Sequence, residues 1–266
     1  MADNLELKPQ PDLSNRIKAM KDDGYAYFPD ALSQDEISEL KSIMDDLTPI
    51  EASFNRHTTV DNGGFLNKHI NNVFNRNPVF LKYLDRPDVI DLAEAIHGED
   101  CHIIGMTAWV TGPGRPDQQY HCDWLPIELP EDVLADPRVE TPIFISTAHY
   151  YLNDMYEELG PTKFIPGSHL SGRRPNGDTE WHGKGGQSVI CKAGDAVIFR
   201  SEVWHRGTSN QSNEIRYLLQ VHYANRMITQ KFPPYLNKFQ FDPDILAICN
   251  PRQRRILGDH TSSNYD

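Results

Sequence analysis

At residues 118–124 the chain reads Gln118-Gln119-Tyr120-His121-Cys122-Asp123-Trp124. Successive side chains of a β-strand point to opposite faces of the sheet, so His121 and Asp123 project from the same face. An imidazole and a carboxylate placed together can bind a divalent metal ion. A second imidazole would complete the facial 2-His-1-carboxylate triad that holds non-haem Fe(II). We expect His205 to supply this third ligand.

This pattern is short, and other interpretations of its members stay open. A second His-x-carboxylate sequence occurs at His97-Gly98-Glu99, where a helix is expected to end, and we attribute that match to chance. From its position alone, His205 is more often a surface or hydrogen-bonded core histidine than a metal ligand. The rest of the sequence therefore has to support the metal-binding interpretation.

The composition excludes several classes of protein. With 38% hydrophobic and 24% charged residues over 266 positions, the chain is typical of globular proteins. Its net charge of −12 argues against a nucleic-acid partner, because phosphate binding requires clustered Lys and Arg. The four cysteines form no Cys-x-x-Cys pair, which argues against structural zinc and a disulfide framework. No apolar run approaches a membrane span and neither end shows a targeting signal, so we expect a cytoplasmic protein without a membrane partner.

The first hundred residues have a mainly helical pattern. Residues 1–13 look disordered, and we expect a helix at 15–21, a strand at 25–28 and further helices at 78–84 and 87–96. Ser33-Gln34-Asp35-Glu36 is a capping box, which predicts a helix from there to about Leu47. Residues 50–67 show little periodicity and predict a loop, which we interpret as a mobile lid.

From residue 101 the pattern changes to short apolar runs separated by Gly and Pro turns, which is typical of a sandwich or barrel. Strands are expected at 101–111, 119–124, 142–152, 162–165, 187–191, 195–199, 203–206 and 215–223. After residue 231 the pattern returns to helix, clearest at 244–257, where Pro251 should kink or break it. The simplest interpretation is one mainly β domain with a helical frame (α+β) over residues 1–266. Its parts are a frame and lid at 1–100, a β core at 101–225 and a helical segment at 226–266.

A lone arginine, Arg216, lies in the otherwise apolar strand 215–223, eleven residues after His205. Burying a guanidinium is unfavourable unless an anion pairs with it. A small dicarboxylate would provide such a partner through bidentate hydrogen bonds, although an Arg in a salt bridge at the sheet edge fits the pattern equally well. By strand alternation, Gln220 and His222 share the face of Arg216.

Four stretches have the order and spacing of one protein family. They are residues 118–123, Leu159-Gly160-Pro161-Thr162-Lys163-Phe164-Ile165-Pro166-Gly167-Ser168-His169, Gly194-Asp195-Ala196-Val197-Ile198-Phe199, and His205 followed by Arg216. On these stretches the chain resembles the phytanoyl-CoA dioxygenase-like (PhyH) family of Fe(II)/2-oxoglutarate-dependent oxygenases. The Pro-Gly-Ser-His turn at 166–169 is the most distinctive local feature, and the resemblance extends from about residue 20 to 225.

The resemblance implies a double-stranded β-helix, a cupin-like jelly roll whose two sheets enclose an iron ion. Carried over by position, His121, Asp123 and His205 would be the catalytic residues, as the ligands of Fe(II). Arg216 would bind the far carboxylate of the cosubstrate 2-oxoglutarate, and O2 would be the second cosubstrate. Two polar positions of the family often hydrogen-bond 2-oxoglutarate, and in this chain they are Gln118 and Thr162. Asn72 and Thr208 are two further candidates for this role.

The family also implies a reaction in which 2-oxoglutarate is converted to succinate and CO2 while a substrate is oxidised. Related halogenases have a small residue where this chain has Asp123, so we expect hydroxylation, desaturation or ring formation. An acidic chain with no obvious basic cluster at the lid is unfavourable for a CoA thioester. We therefore expect a small molecule of secondary metabolism, a natural product, as the substrate.

Three alternatives remain open at this point. One is an acyl-CoA hydroxylase of the same family, another is a cupin-like metal-binding protein that does not use 2-oxoglutarate, and a third is a non-catalytic jelly-roll subunit. Homo- and hetero-oligomers are both compatible with the sequence. Residues 126–141 look longer and more acidic than is usual in the family, and we expect them to shape the entrance of the site. We expect His169 to be structural, and the candidate aromatic lining is Phe54, Trp124, Tyr150 and Trp204.

Overall fold

The computed structural model describes residues 4–47, 64–232 and 240–260. The described chain starts with Asn4, which forms a parallel bridge to Ser188, and Leu5 next to it is buried with 5% of its surface exposed. Leu5 packs into an apolar cluster that includes Tyr25 and Val189. The disorder predicted for residues 1–13 is therefore wrong for residues 4–13, because long-range burial of Leu5 fixes a segment whose local sequence is polar; residues 1–3 lie outside the described residues.

Three elements follow as predicted: helix α1 (Leu13–Asp22), strand β1 (Tyr25–Phe28) and helix α2 (Gln34–Asp46). Helix α2 begins at the expected capping box. The Ser33 hydroxyl accepts a hydrogen bond from the Glu36 backbone N–H, and the Glu36 carboxylate accepts one from the Ser33 N–H. This helix buries Ile37, Leu40 and Met44.

Strand β2 (Asn67–Asn71) and helix α3 (Val89–His97) enclose two short 3₁₀ turns, Val73–Asn75 and Pro78–Tyr83. The second turn replaces the α-helix predicted at 78–84. It buries Phe80, Leu81 and Tyr83, so we attribute the tighter i to i+3 bonding to the packing of these side chains rather than to local preference. Of the predicted lid, residues 50–63 lie outside the described residues.

The β core contains nine further strands and one short helix. They are β3 (His102–Thr111), α4 (Glu131–Leu134), β4 (Ile145–Tyr151), β5 (Thr162–Phe164), β6 (Glu180–Trp181), β7 (Lys184–Gly185), β8 (Gln187–Ser188), β9 (Ala196–Arg200), β10 (His205–Gly207) and β11 (Arg216–Ala224). A six-stranded sheet has the order β1-β9-β4-β11-β3-β2, and a three-stranded sheet has the order β10-β5-β8. Strands β6 and β7 form a separate hairpin, and every pairing between these strands is antiparallel.

The two sheets face each other across an apolar layer. Phe164 of the smaller sheet lies 4.8 Å, ring centroid to ring centroid, from Phe199 of the larger one. Leu218 of β11 belongs to the same cluster. A larger cluster packs the outer side of the six-stranded sheet against helices α2 and α3. The structure therefore consists of two stacked antiparallel sheets with a helical layer on one side. Side chains from both sheets project into the space between them.

The region 119–124, predicted as a strand, forms only an isolated antiparallel bridge between His121 and His205. The N–H of each residue donates to the carbonyl of the other, at 2.9 Å and 2.8 Å. This bridge attaches the segment to the free edge of β10 in the smaller sheet.

The C-terminal helix breaks at the proline, as predicted. Helix α5 (Pro243–Ile248) and helix α6 (Pro251–Ile256) are separated at Asn250, which caps the second helix. The four cysteines are free thiols. Within the described ranges, no helix combines the length and apolar character needed to cross a membrane.

Candidate metal centre and its cavity

The side chains of His121, Asp123 and His205 meet in one place. Each offers a ligand atom, and these atoms all lie within 4.8 Å of one another. Asp123 Oδ1 is 3.8 Å from Nε2 of His121 and 3.6 Å from Nε2 of His205. Two imidazole nitrogens and a carboxylate oxygen at such separations fit a single divalent transition-metal ion.

Backbone hydrogen bonds set the orientation of both imidazoles. Nδ1 of His121 lies 2.9 Å from the carbonyl oxygen of Gln119, and Nδ1 of His205 lies 2.9 Å from that of Val203. A carbonyl only accepts, so we assign the proton to Nδ1 of each ring, which leaves the Nε2 lone pairs directed at Asp123. Burial lowers the pKa of His205 and so favours the neutral imidazole that a metal ion requires.

A cavity of about 400 Å³ opens beside these three residues. Its walls come from both sheets. Strand β11 contributes Arg216, Leu218, Gln220 and His222, every second residue, as the alternation predicts. The volume lies within the range of small-molecule sites, roughly 300–1,000 Å³.

Arg216 is buried in this cavity, with 8% of its surface exposed. Its Nη1 donates to the carbonyl oxygen of Gly160, whereas its buried Nε has no hydrogen-bond partner. Burial lowers the pKa of Arg216 to about 10. No carboxylate in the described ranges forms an ion pair with it. A buried guanidinium with an unsatisfied donor fits an anionic ligand in the cavity.

The other polar residues expected at the site also line the cavity: Gln118, Thr162 and Asn72. Gln118 is held in place because its Oε1 accepts from the Gly207 N–H at 2.9 Å. Thr162 lies on β5, where it pairs with Gly207 of β10. Asn72 is buried and adopts a left-handed backbone conformation, φ 54°, at the end of β2.

A second buried arginine, Arg115, lies in the cavity wall and was not predicted from the sequence. Its Nη1 donates to the carbonyl oxygens of Gly207 and Thr208, at 3.0 Å and 3.3 Å. Burial lowers its pKa, and its charge contributes, after burial, to lowering the pKa of Arg216. Two guanidinium groups therefore act on the same part of the cavity. Arg115 lies in a Gly-Pro-Gly-Arg-Pro turn, so no strand periodicity marks it.

A second missed residue is His149, fully enclosed on strand β4. Its Nε2 accepts from Nε2 of Gln220 at 2.8 Å, while Oε1 of Gln220 accepts from Nε1 of Trp109 at 2.8 Å. Burial lowers the pKa of His149 well below the ordinary value, so the ring is neutral. The signal was available, because a polar residue inside an apolar strand is the same feature that marked Arg216.

The third missed residue is Lys231, which follows β11. Its backbone N–H donates to Ile104 at 2.9 Å, and its Nζ lies 4.9 Å from the ring centroid of Trp124. A Cβ on Gly105 would lie 3.5 Å from Cδ of Lys231, so the lysine stem crosses strand β3 at its glycine. Burial lowers the pKa of Lys231, and the carboxylate of Asp123 raises it in part.

Several expected features lie elsewhere. The Thr208 hydroxyl donates to the carbonyl oxygen of Pro161 at 2.6 Å, and Thr208 lines a different groove. His169 is buried, with its Nε2 3.1 Å from the carbonyl of Lys21, and burial lowers its pKa to about 4; this placement matches its expected structural role. Of the candidate aromatic residues, Trp124 lines the cavity. Tyr150 and Trp204 belong to apolar clusters, and Phe54 lies outside the described residues.

The segment 126–141 does not line the described cavity. Glu131 instead accepts a hydrogen bond from His182 at 2.7 Å. The carbonyl of Leu129 lies where a Cβ on Gly172 would stand, with Gly172 at φ 64°. Its contacts include residues 172–182 and, through Glu140, Lys21, and the expectation that it shapes the entrance stays a prediction.

The sequence profile of phytanoyl-CoA dioxygenase (PhyH) matches residues 20–218. The fold and the His-Asp-His cluster place the chain in the general class of jelly-roll proteins with a candidate metal site. The profile match identifies the family: the chain belongs to the phytanoyl-CoA dioxygenase family. Among curated proteins it is 26% identical over 161 residues to the dioxygenase trt7 of Aspergillus terreus, covering 58% of this chain and 50% of that protein. It is 26% identical to the dioxygenase cdmA of Talaromyces verruculosus, covering 55% and 46%. The chain spans about half the length of these relatives.

Solved structures confirm the predicted double-stranded β-helix. The epimerase SnoN, in complex with Fe3+, α-ketoglutarate and nogalamycin RO, superposes with a TM-score of 0.63 at 19% identity, covering 87% of this chain and 92% of that one. The α-ketoglutarate-dependent carbocyclase SnoK from nogalamycin biosynthesis gives 0.62 at 18%, covering 82% and 87%. HygX from Streptomyces hygroscopicus, with nickel and 2-oxoglutarate bound, gives 0.61 at 14%, covering 81% and 88%.

Proposed function

We propose that this protein is an Fe(II)- and 2-oxoglutarate-dependent dioxygenase that oxidises a small molecule. The observation that carries the proposal is the cluster of His121, Asp123 and His205, whose ligand atoms lie within 4.8 Å of one another beside a cavity. Such a triad is characteristic of non-haem Fe(II) oxygenases because it leaves coordination positions open for cosubstrates. Family membership supports the same assignment.

In this proposal His121, Asp123 and His205 hold the iron, and Arg216 binds the far carboxylate of 2-oxoglutarate. Arg216 suits this role because its buried Nε lacks a partner and a carboxylate would satisfy it. Gln118, Thr162 and Asn72 would hydrogen-bond the cosubstrate from the cavity wall. Iron with 2-oxoglutarate and O2 supplies the oxidising chemistry, with release of succinate and CO2.

The protein side of the mechanism consists of positioning and neutralisation of charge. The hydrogen bonds from Nδ1 of both histidines to carbonyl oxygens fix the rings before a metal binds. The buried arginines place positive charge where the dicarboxylate would lie, in surroundings that strengthen the attraction.

For the substrate, we propose a natural product that undergoes hydroxylation, desaturation or ring formation. The structural relatives SnoN and SnoK come from nogalamycin biosynthesis, and HygX has also been solved with hygromycin B bound. The cavity combines the aromatic faces of Trp109 and Trp124 with polar groups, which suits an oxygenated ring system. The single-domain organisation, the oligomeric state and the cytoplasmic location stay predictions.

Anaerobic titration of the metal-free protein with Fe(II) and then 2-oxoglutarate tests the proposal. The expected result is the weak visible charge-transfer band of 2-oxoglutarate chelated to iron. Iron binding without the band would favour a cupin-like metalloprotein that does not use this cosubstrate. No iron binding at all would refute the metal site.

A further inference from the structure

The charge of the cavity differs in sign from that of the chain. The net charge of the protein is −12, yet the cavity is lined by the cations Arg115, Arg216 and Lys231. Among the described lining residues, Asp123 is the one carboxylate. A site this rich in cations attracts anions, and the low-dielectric walls strengthen the attraction.

The proposed cofactors do not neutralise this positive charge, because doubly charged 2-oxoglutarate only balances Fe(II). The charges of Fe(II), 2-oxoglutarate, Asp123 and Arg216 together sum to zero. Arg115 remains beside Arg216, where its guanidinium also donates to the carbonyls of Gly207 and Thr208. Lys231 is then left as a cation with no counter-ion assigned to it.

Lys231 lies on another side of the cavity from the two arginines. Its stem crosses Gly105 next to His222, and its ammonium lies 4.9 Å from the ring centroid of Trp124. Trp124 directly follows the metal ligand Asp123 in the chain. Within the described ranges Lys231 forms no salt bridge. The residue as a whole is exposed, whereas its ammonium group is enclosed enough for burial to lower its pKa.

We propose that Lys231 and Trp124 together recognise an anionic oxygen group, a carboxylate or an enolate, on the primary substrate. The ammonium supplies the charge, and the indole face holds it in place by a cation–π contact. The same indole provides a flat apolar surface for the carbon skeleton that bears the anion. This inference rests on the proposed function, because it assumes a metal ion at His121, Asp123 and His205. The substrate anion would lie next to that ion and would not be one of its ligands.

An anion at this point would also orient the substrate. One ionic anchor beside Asp123 and one aromatic face restrict the ways in which a ring system can present its carbons to the iron. Position selectivity would then depend on Lys231, although the lysine takes no part in the oxidation. Two further histidines of the wall, His69 and His222, would contact the remainder of the molecule.

The test compares matched acids and amides as ligands. The probes are 4-methoxybenzoate, 2-naphthoate and dehydroabietate, each paired with its uncharged primary amide of nearly equal shape. Binding is measured by saturation-transfer NMR on protein loaded with Zn(II) and 2-oxoglutarate, which cannot turn over. We expect at least one acid to bind about tenfold more tightly than its amide, as expected for a partly desolvated charged contact.

Substitutions at Lys231 then assign the preference. Lys231→Met, of similar length and without charge, should bring acid and amide to within about twofold, while Lys231→Arg should keep the preference. Trp124→Leu should weaken the acid by several fold through loss of the cation–π contact. Lys184→Met, at an exposed position on β7, is the control for removing a lysine charge and should leave the preference unchanged.

The outcomes separate this inference from the proposed function. An acid preference that survives Lys231→Met, or wild-type protein with no acid preference in any pair, overturns the role of Lys231. The Fe(II)·2-oxoglutarate band is recorded in parallel in the wild type and in Lys231→Met. If the band forms in both and the preference is absent, only this inference fails; if the band never forms, the proposed function fails. Loss of the band on adding an acid would show that the acid displaces 2-oxoglutarate, which also counts against the Lys231 site.

Discussion

His121 and His205 exchange two backbone hydrogen bonds, of 2.9 Å and 2.8 Å, across a single antiparallel bridge. The bridge joins the segment after the Gly-Pro-Gly-Arg-Pro turn to the edge of β10, and it brings the ring centroids to within 4.5 Å. Asp123, two residues after His121, projects to the same side, so that its carboxylate meets both imidazoles. The proposed metal ligands, which come from distant parts of the chain, are thus oriented by backbone pairing.

The two proposed metal ligands on the bridged segment, His121 and Asp123, should be needed for metal binding but not for folding. His121→Ala or Asp123→Ala should lose Fe(II) binding and reduce succinate formation below detection. Both side chains are partly exposed in the cavity, so the free energy of unfolding should change by no more than about 1 kcal/mol. Iron binding, turnover and thermal unfolding would be measured on each variant. His182→Ala, at an exposed histidine on the surface, is the matched control, and turnover retained in either ligand variant would refute the site.

Replacing Arg216 should weaken the binding of 2-oxoglutarate without weakening the binding of the metal ion. In Arg216→Met the affinity for Fe(II) should be retained, whereas the affinity for 2-oxoglutarate should fall by about 2–5 kcal/mol, the usual cost of truncating one partner of a buried charge pair. Anaerobic titration of the charge-transfer band measures both affinities.

Thermal unfolding gives a second measurement on the same variant. In wild-type protein loaded with Zn(II), saturating 2-oxoglutarate should stabilise the fold by about 2.7 kcal/mol at a hundredfold excess over its Kd. Arg216→Met should show almost none of this stabilisation at the same concentration. Equal stabilisation of both proteins would exclude Arg216 from the cosubstrate site.

Gly207 packs closely against two side chains of the cavity wall, those of Gln118 and Arg115. A Cβ at this position would lie 3.0 Å from Oε1 of Gln118 and 3.1 Å from Nη1 of Arg115. Gly207→Ala should therefore displace both side chains and raise the KM for 2-oxoglutarate several fold, while Fe(II) affinity stays near that of wild type. Gly185→Ala, where a Cβ meets no atom within 4 Å, is the control. An unchanged KM would mean that Gln118 and Arg115 do not position the cosubstrate.

Local patterns were sufficient for the elements that local physics determines. The capping box at Ser33 predicted the start of α2, and alternation along β11 predicted that Gln220 and His222 share a face with Arg216. The family resemblance supplied the fold and the grouping of His205 with the other two ligands, because spacing alone cannot show that distant segments meet. The described structure brings the three together.

Two cavity residues that were not predicted, Arg115 and Lys231, lie outside the strands and are placed by the tertiary structure. Arg115 projects from a turn and Lys231 from the segment after β11, where side-chain direction follows no period. The 3₁₀ turn at Pro78–Tyr83 and the burial of Leu5 have the same origin, since packing overrides the local preference. Turns and segment ends are thus the places where the sequence was least informative about the site.

Buried histidines away from the metal site predict sensitivity to acid. His97 is enclosed, with Nδ1 2.8 Å from the carbonyl of Ile143 and Nε2 2.8 Å from the hydroxyl of Ser146, and burial lowers its pKa to about 4. An unfolded histidine has a pKa of about 6.5, so this group stabilises the fold above that pH. Its contribution declines as the pH falls from about 6.5 to 4, by up to roughly 3 kcal/mol. Urea unfolding of wild type and His97→Gln across this range should give a shallower pH slope for the variant, and identical slopes would contradict the role of His97.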